Sequence, residues 1–221
     1  MTRLIKILTA TTALTILPLS LAYAGDSTTS GSQILNGQVN LHTVVSTVNT
    51  ELMNVQGDAA AQSVAAANVL DVTTMQDTKV TNNQYATSVN ISSALNANVK
   101  NVSHNVSLVS QAFCNSATVS TDPTTTDVYS NQECDVKDPS SKINATVQNI
   151  GGDMTIASSS LGNTFQEDTN APNAPVQTYQ INKSSLNSTV NANAYNINGT
   201  AVVNSTAIGN DAQIVHYSTG N

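Results

Sequence analysis

Three histidines and five clustered carboxylates are the residues of this 221-residue chain with the clearest capacity for chemistry. His42, His104 and His216 lie far apart and in no H-x-x-x-H or H-E-x-x-H spacing, so a zinc hydrolase would lack its usual ligands. His104 falls on the alternating set Val102, His104, Val106 and Leu108, where packing on a strand accounts for it. Asp122, Asp127, Glu133, Asp135 and Asp138 crowd one polar stretch. Two carboxylates at a fixed separation can hydrolyse a glycosidic bond, and several loop oxygens can hold a hard cation such as Ca²⁺. No D-x-D-x-D-G loop is present, and there is no Trp to form a sugar platform. Serine is abundant, but no G-x-S-x-G elbow presents one. The sequence therefore offers no catalytic residue, no cofactor site and no metal site, and the carboxylates read as a solvated acidic loop.

Cys114 and Cys134 are the only cysteines. They are not spaced as C-x-x-C, and an isolated pair in an oxidising compartment pairs with itself. A structural disulfide is expected. It closes a segment containing Asp122-Pro123 and the run Thr124 to Asp127.

That compartment is implied by the N-terminus. Met1–Ala24 reads as a secretory signal, with Arg3 and Lys6 ahead of the apolar stretch from Ile7 to Leu21. Ala22-Tyr23-Ala24 forms an A-x-A cleavage site that leaves Gly25 as the new N-terminus. Cleavage removes two cations and no acid, which moves the formal charge from −7 to −9. The remaining cations, Lys79, Lys100, Lys137, Lys142 and Lys183, are scattered. Nucleic-acid binding needs them clustered, so no nucleic-acid partner is expected. The localisation expected is outside the cytoplasm: at the cell surface, associated with an outer membrane, or extracellular.

The elements that must position anything here are strands. The body Gly25–Asn221 is dominated by Asn, Ser, Thr, Val and Ala, a composition poor for a compact enzyme core and suited to stacked side-chain ladders. Val190, Ala192 and Ala194 alternate with Asn191, Asn193 and Tyr195, the period of a strand with one buried face. A hydroxyl-led motif recurs at Ser46, Ser63, Ser88, Ser110, Thr146, Ser160, Ser188 and Ser205, unevenly spaced, as expected of one supersecondary unit per coil. The spacing and alternation predict a single elongated parallel β-helix, an all-β solenoid with irregular coils. Gly31, Gly37, Gly57, Gly151-Gly152, Gly162, Gly199 and Gly209 are expected at turns. Asp58 to Leu70, with two Ala triplets, has helix propensity, but Ser63, Val64, Asn68 and Val69 dilute it and a solenoid coil is preferred. Two polar stretches are expected to leave the body as loops: residues 115–141, braced by the disulfide, and residues 165–176.

The signal, this body, the ending Ser205 to Ala212 and the stretch Val109 to Asn115 together resemble the holdfast-anchoring outer-membrane proteins of stalked alphaproteobacteria. The resemblance implies an outer-membrane-associated protein that multimerises and fixes an adhesive polysaccharide to the cell. Its partners would be further copies of itself, extracellular polysaccharide and outer-membrane anchor proteins. It carries over no site residue. The function expected is thus a non-enzymatic surface anchor or adhesin subunit. The alternatives are a filament or matrix subunit without a specific ligand and a polysaccharide-acting enzyme built on a β-helix.

Overall fold

A computed structural model describes residues 32–121, 126–171 and 173–217. The expected signal, its cleavage point at Ala24 and Gly25, and Gly31 lie outside them. Among the described residues, twelve strands follow one another in three-strand coils. Coil 1 holds β1 (Ser32–Asn40), β2 (Val44–Val55) and β3 (Ala59–Thr74). Coil 2 holds β4 (Thr78–Ala86), β5 (Ile91–Val102) and β6 (Val106–Thr121). Coil 3 holds β7 (Thr126–Cys134), β8 (Ser140–Ile150) and β9 (Met154–Thr169). Coil 4 holds β10 (Val176–Asn182), β11 (Asn187–Ile197) and β12 (Ala201–His216).

Each strand pairs in parallel with its counterpart one coil away. This gives sheet A (β1-β4-β7-β10), sheet B (β2-β5-β8-β11) and sheet C (β3-β6-β9-β12). The chain is a parallel β-solenoid, as its alternation predicted. Its coil is large: aligned residues are 46, 47 or 48 positions apart. The turn between sheets B and C is always three residues, and the length differences fall at the other two corners.

Two sites bend the strands. In sheet B the pairing skips Asn54, Asn101, Asn149 and Asn196. All four have positive φ, between 55° and 58°. Asn is the side chain that tolerates this left-handed region best, which explains why the same residue type recurs there. In sheet C the pairing skips the position held by Ala67, Cys114, Gly162 and Gly209. Alternation changes phase there, so Cys114 and Asn115 both point inward. Sheet C thereby gains two arms.

Sheet B packs on the first arm through Leu95, Val99, Leu108, Ile143, Val147 and Ile156. Sheet A packs on the second through Val80, Val119, Val128 and Phe165. Between these cores lies a smaller cluster containing Ala86, Ile91, Ala112, Cys114 and Cys134.

Buried polar groups need partners, and stacking supplies them. One hydroxyl chain runs the length of the solenoid through Ser46, Ser63, Ser93, Ser110, Ser141, Ser158, Ser188 and Ser205, at 2.8–3.0 Å per step. Gln38, Gln84, Gln132 and Gln180 form an amide ladder inside sheet A. Each also donates across the core to a carbonyl just past the bend in sheet C. Asn68, Asn115, Asn163 and Asn210 form the matching ladder at the bend itself.

Several expectations change. Residues 115–141 are not a loop excursion: Asn115 to Thr121 complete β6, 126–134 is β7, and β8 opens at Ser140. Phe165 to Thr169 complete β9, leaving only the segment up to Pro175 as connection. The polar composition that suggested loops belongs to residues satisfied in ladders. Asp58 to Leu70 is the solenoid segment expected despite its helix propensity: β3 begins at Ala59 and its small residues fill a narrow interior. Gly37, Gly162 and Gly209 lie within strands. Gly162 is required by space, since a Cβ there would stand 2.2 Å from the carbonyl oxygen of Gly209.

Candidate binding surface

The outer face of sheet B repeats its chemistry in every coil. Asn49, Asn96, Asn144 and Asn191 stack in one outward column, the Nδ2 of the last three each donating to the Oδ1 of the preceding coil at 2.7 to 3.2 Å. Beside it runs a second column of Glu51, Asn98, Thr146 and Asn193. Between the two columns lies a groove of about 640 Å³ along the solenoid axis, floored by Thr50, Ala97 and Ala145. A second groove, of about 480 Å³, follows the left-handed asparagines Asn101, Asn149 and Asn196. Both are lined mainly by uncharged residues, with Glu51 the one carboxylate in the first. Stacked amides keep donors and acceptors fixed in direction at the inter-strand spacing of about 4.8 Å. Such a surface suits a linear polymer of hydroxyl groups better than a small charged ligand.

The outer face of sheet A differs. It presents Tyr85, Tyr129 and Tyr179 in neighbouring columns, with Tyr129 and Tyr179 exposed. Asn131 Nδ2 donates to the Tyr85 hydroxyl at 2.9 Å. Ion pairs stitch successive coils on this face: Lys79 to Asp127 at 3.3 Å, and Lys183 to Glu133. Lys183 is held above its usual lysine value, first by its hydrogen bond to Glu133 and then by that residue's charge. These tyrosines supply aromatic surface that the lack of Trp had seemed to deny. They fall in three different columns and three different coils, so no sequence period marks them.

The sequence-derived candidates fall as follows. Cys114 and Cys134 form the disulfide, with Cα atoms 5.7 Å apart, joining coil 2 to coil 3 inside the core. Asp127 and Glu133 serve the ion pairs on sheet A. Asp122 lies outside the described residues. Among the described residues, no group of three or more His, Cys, Asp and Glu side chains is arranged to hold a metal. His104 is not on a strand face: Ser103 to Asn105 form the turn between β5 and β6, and His104 is exposed there.

His216 meets a residue that the sequence did not single out. Its Nε2 lies 3.5 Å from Glu167, whose side chain is fully buried. Glu167 occupies an inward position stacked between Val119 and Ile214. Neither carboxylate oxygen has a hydrogen-bond partner. Burial raises its pKa above the usual carboxylate value, partly opposed by His216. The carboxylate is thus held in the core between two aliphatic side chains, with the half-exposed His216 beside it.

Comparisons with protein-family models, curated proteins and solved structures find no match. Among the described residues, no helix is long and apolar enough to cross a membrane.

Proposed function

We propose that this chain is an exported, non-enzymatic surface protein, an anchor or adhesin subunit that self-associates and holds an extracellular polysaccharide. The observation that carries the polysaccharide part is the amide-lined groove of sheet B, which offers the same two side-chain columns in successive coils. Each contact to a sugar hydroxyl is weak, and repetition along one polymer supplies the avidity. The Tyr129 and Tyr179 rings add apolar area against which a sugar face can lie. The buried disulfide accords with an oxidising compartment.

The test is retention of the chain on insoluble polysaccharide, compared with a Thr146→Trp variant. Thr146 lines the groove and takes part in no ladder bond, so the indole fills the groove while the coils stay intact. Retention of the parent with loss in the variant supports the reading. Equal retention of both, or of neither, removes the groove from the function.

A matrix or filament subunit without a ligand is the second reading. It is favoured by the apolar cross-section of coil 4, which no described residue covers fully: the inward Val203 is 52% exposed and Ile214 49% exposed. Solenoids that act alone close such ends with polar caps.

A further inference from the structure

Among the described residues, both ends of the solenoid expose the components of a coil-to-coil contact, and they are complementary. The first and last rungs are 142 residues apart on every sheet: Ile34 to Val176, Val48 to Val190 and Ala61 to Val203. A second copy whose coil 1 sits where a fifth coil would be therefore meets coil 4 in one register on all three sheets. In that register like meets like: Asn49 falls on Asn191, Asn54 on Asn196, Gln38 on Gln180 and Asn68 on Asn210.

The direction of the ladders decides the polarity. In the outer columns each amide donates to the coil before it, so Asn49 and Asn54 are left with donors that have no acceptor among the described residues. At the other end, the Oδ1 atoms of Asn191 and Asn196 accept nothing among the described residues. The bend ladder runs oppositely, each amide donating to the coil after it. It leaves an acceptor on Asn68 at the first coil and a spare donor on Asn210 at the last. Head-to-tail contact pairs every one of these, whereas head-to-head contact sets donor against donor. Val203 and Ile214 would then be covered by Ala61 and Val72 of the next copy, and no two like charges would face each other.

We infer that the partner is a second copy of this chain, docked coil 4 to coil 1, head to tail and in register. Such a heterologous contact does not close on itself and propagates as a filament. Four coils at the inter-strand spacing give an axial repeat of about 19 Å. This deepens the self-association proposed above and is independent of the polysaccharide.

The test uses single cysteines on the outer face of sheet B in the full chain. Thr47 and Thr189 are 142 residues apart, so Thr47→Cys and Thr189→Cys would stand opposite one another across the contact. The native cysteines are buried in their own bond and do not interfere. The two variants, mixed and oxidised, are expected to give a covalent dimer that neither gives alone. Asn193→Cys in place of Thr189→Cys stands about 13 Å out of register, beyond disulfide reach, and is expected to give none. Equal linking by the displaced pair overturns the register. Multimers by sedimentation without linking of Thr47→Cys to Thr189→Cys overturn the head-to-tail contact and leave self-association standing. A chain that sediments as a monomer at every concentration overturns both.

Discussion

Asn149 donates from Nδ2 to the Oδ1 of Asn101 at 2.8 Å, and both residues hold a left-handed backbone, φ 58° and 56°. One side chain thus serves two needs. It tolerates the turn that bends sheet B, and it bonds to its counterpart in the next coil. Asn101→Ala removes both and is expected to destabilise the fold by about 2 kcal/mol, the left-handed penalty together with a hydrogen bond. Asn101→Gly relieves the backbone and loses only the ladder, about 1 kcal/mol. Urea midpoints of the two variants separate the contributions; equal losses would contradict this division.

The disulfide joins two coils across a separation of 20 residues. Replacing Cys114 and Cys134 together by Ala is expected to cost about 3 kcal/mol through the entropy of the unfolded chain. Because both sulfurs are buried, the parent is expected to resist reductant until it unfolds. Thiol labelling with and without urea reads this directly.

Glu167 makes stability depend on pH. Its pKa is raised by burial, so its contribution is fully present below the unfolded value near 4.5 and is lost as pH rises through the folded value. The parent is therefore expected to weaken from mildly acid toward neutral pH. Glu167→Gln removes the charge and should flatten that profile, with the variant gaining on the parent as pH rises. Denaturant midpoints at pH 4 and pH 7 check the sign.

Gly162→Ala forces a methyl group against the backbone of coil 4. Overpacking of this kind costs about 1–3 kcal/mol, and here it falls on the contact between β9 and β12. Faster amide exchange in β12 with coil 2 unchanged is the expected signature.

Tyr129→Ala with Tyr179→Ala tests whether sheet A shares in polysaccharide binding. Both side chains are exposed, so stability should move by less than about 0.5 kcal/mol. Binding should weaken up to about tenfold per ring if sugar stacks there. Unchanged binding assigns the polymer to the sheet B groove alone.

The strands were legible because alternation and composition are local. Val190 to Tyr195 shows period two directly, and the abundance of Asn and Ser signalled ladders before any coil was known. The coil length was hidden. The serine chain crosses between sheets B and C, so its members are alternately 17 and 30 or 31 residues apart. Of the hydroxyl-led motif positions, Ser46, Ser63, Ser110, Ser188 and Ser205 lie in this chain and Ser88, Thr146 and Ser160 lie outside it, while Ser93, Ser141 and Ser158 complete it. A search at one fixed spacing meets two interleaved columns and finds neither. The polar run 115–141 misled for a related reason. Asn115, Gln132 and Thr121 look like loop residues, yet they are buried because a neighbour one coil away completes their hydrogen bonds. The sheet B groove was equally invisible, since its walls come from four segments some 47 residues apart.

Forty-six to forty-eight residues per turn also shape how the chain becomes ordered. No rung can close until the chain has gone once round and begun its second coil, because β1 pairs with β4, so the earliest contacts between strands all join distant segments, and such topologies start slowly. Once one pair of coils has closed, every later strand finds a finished edge to copy. Ordering should therefore show a lag followed by rapid growth. Preformed coils added at the outset should abolish the lag.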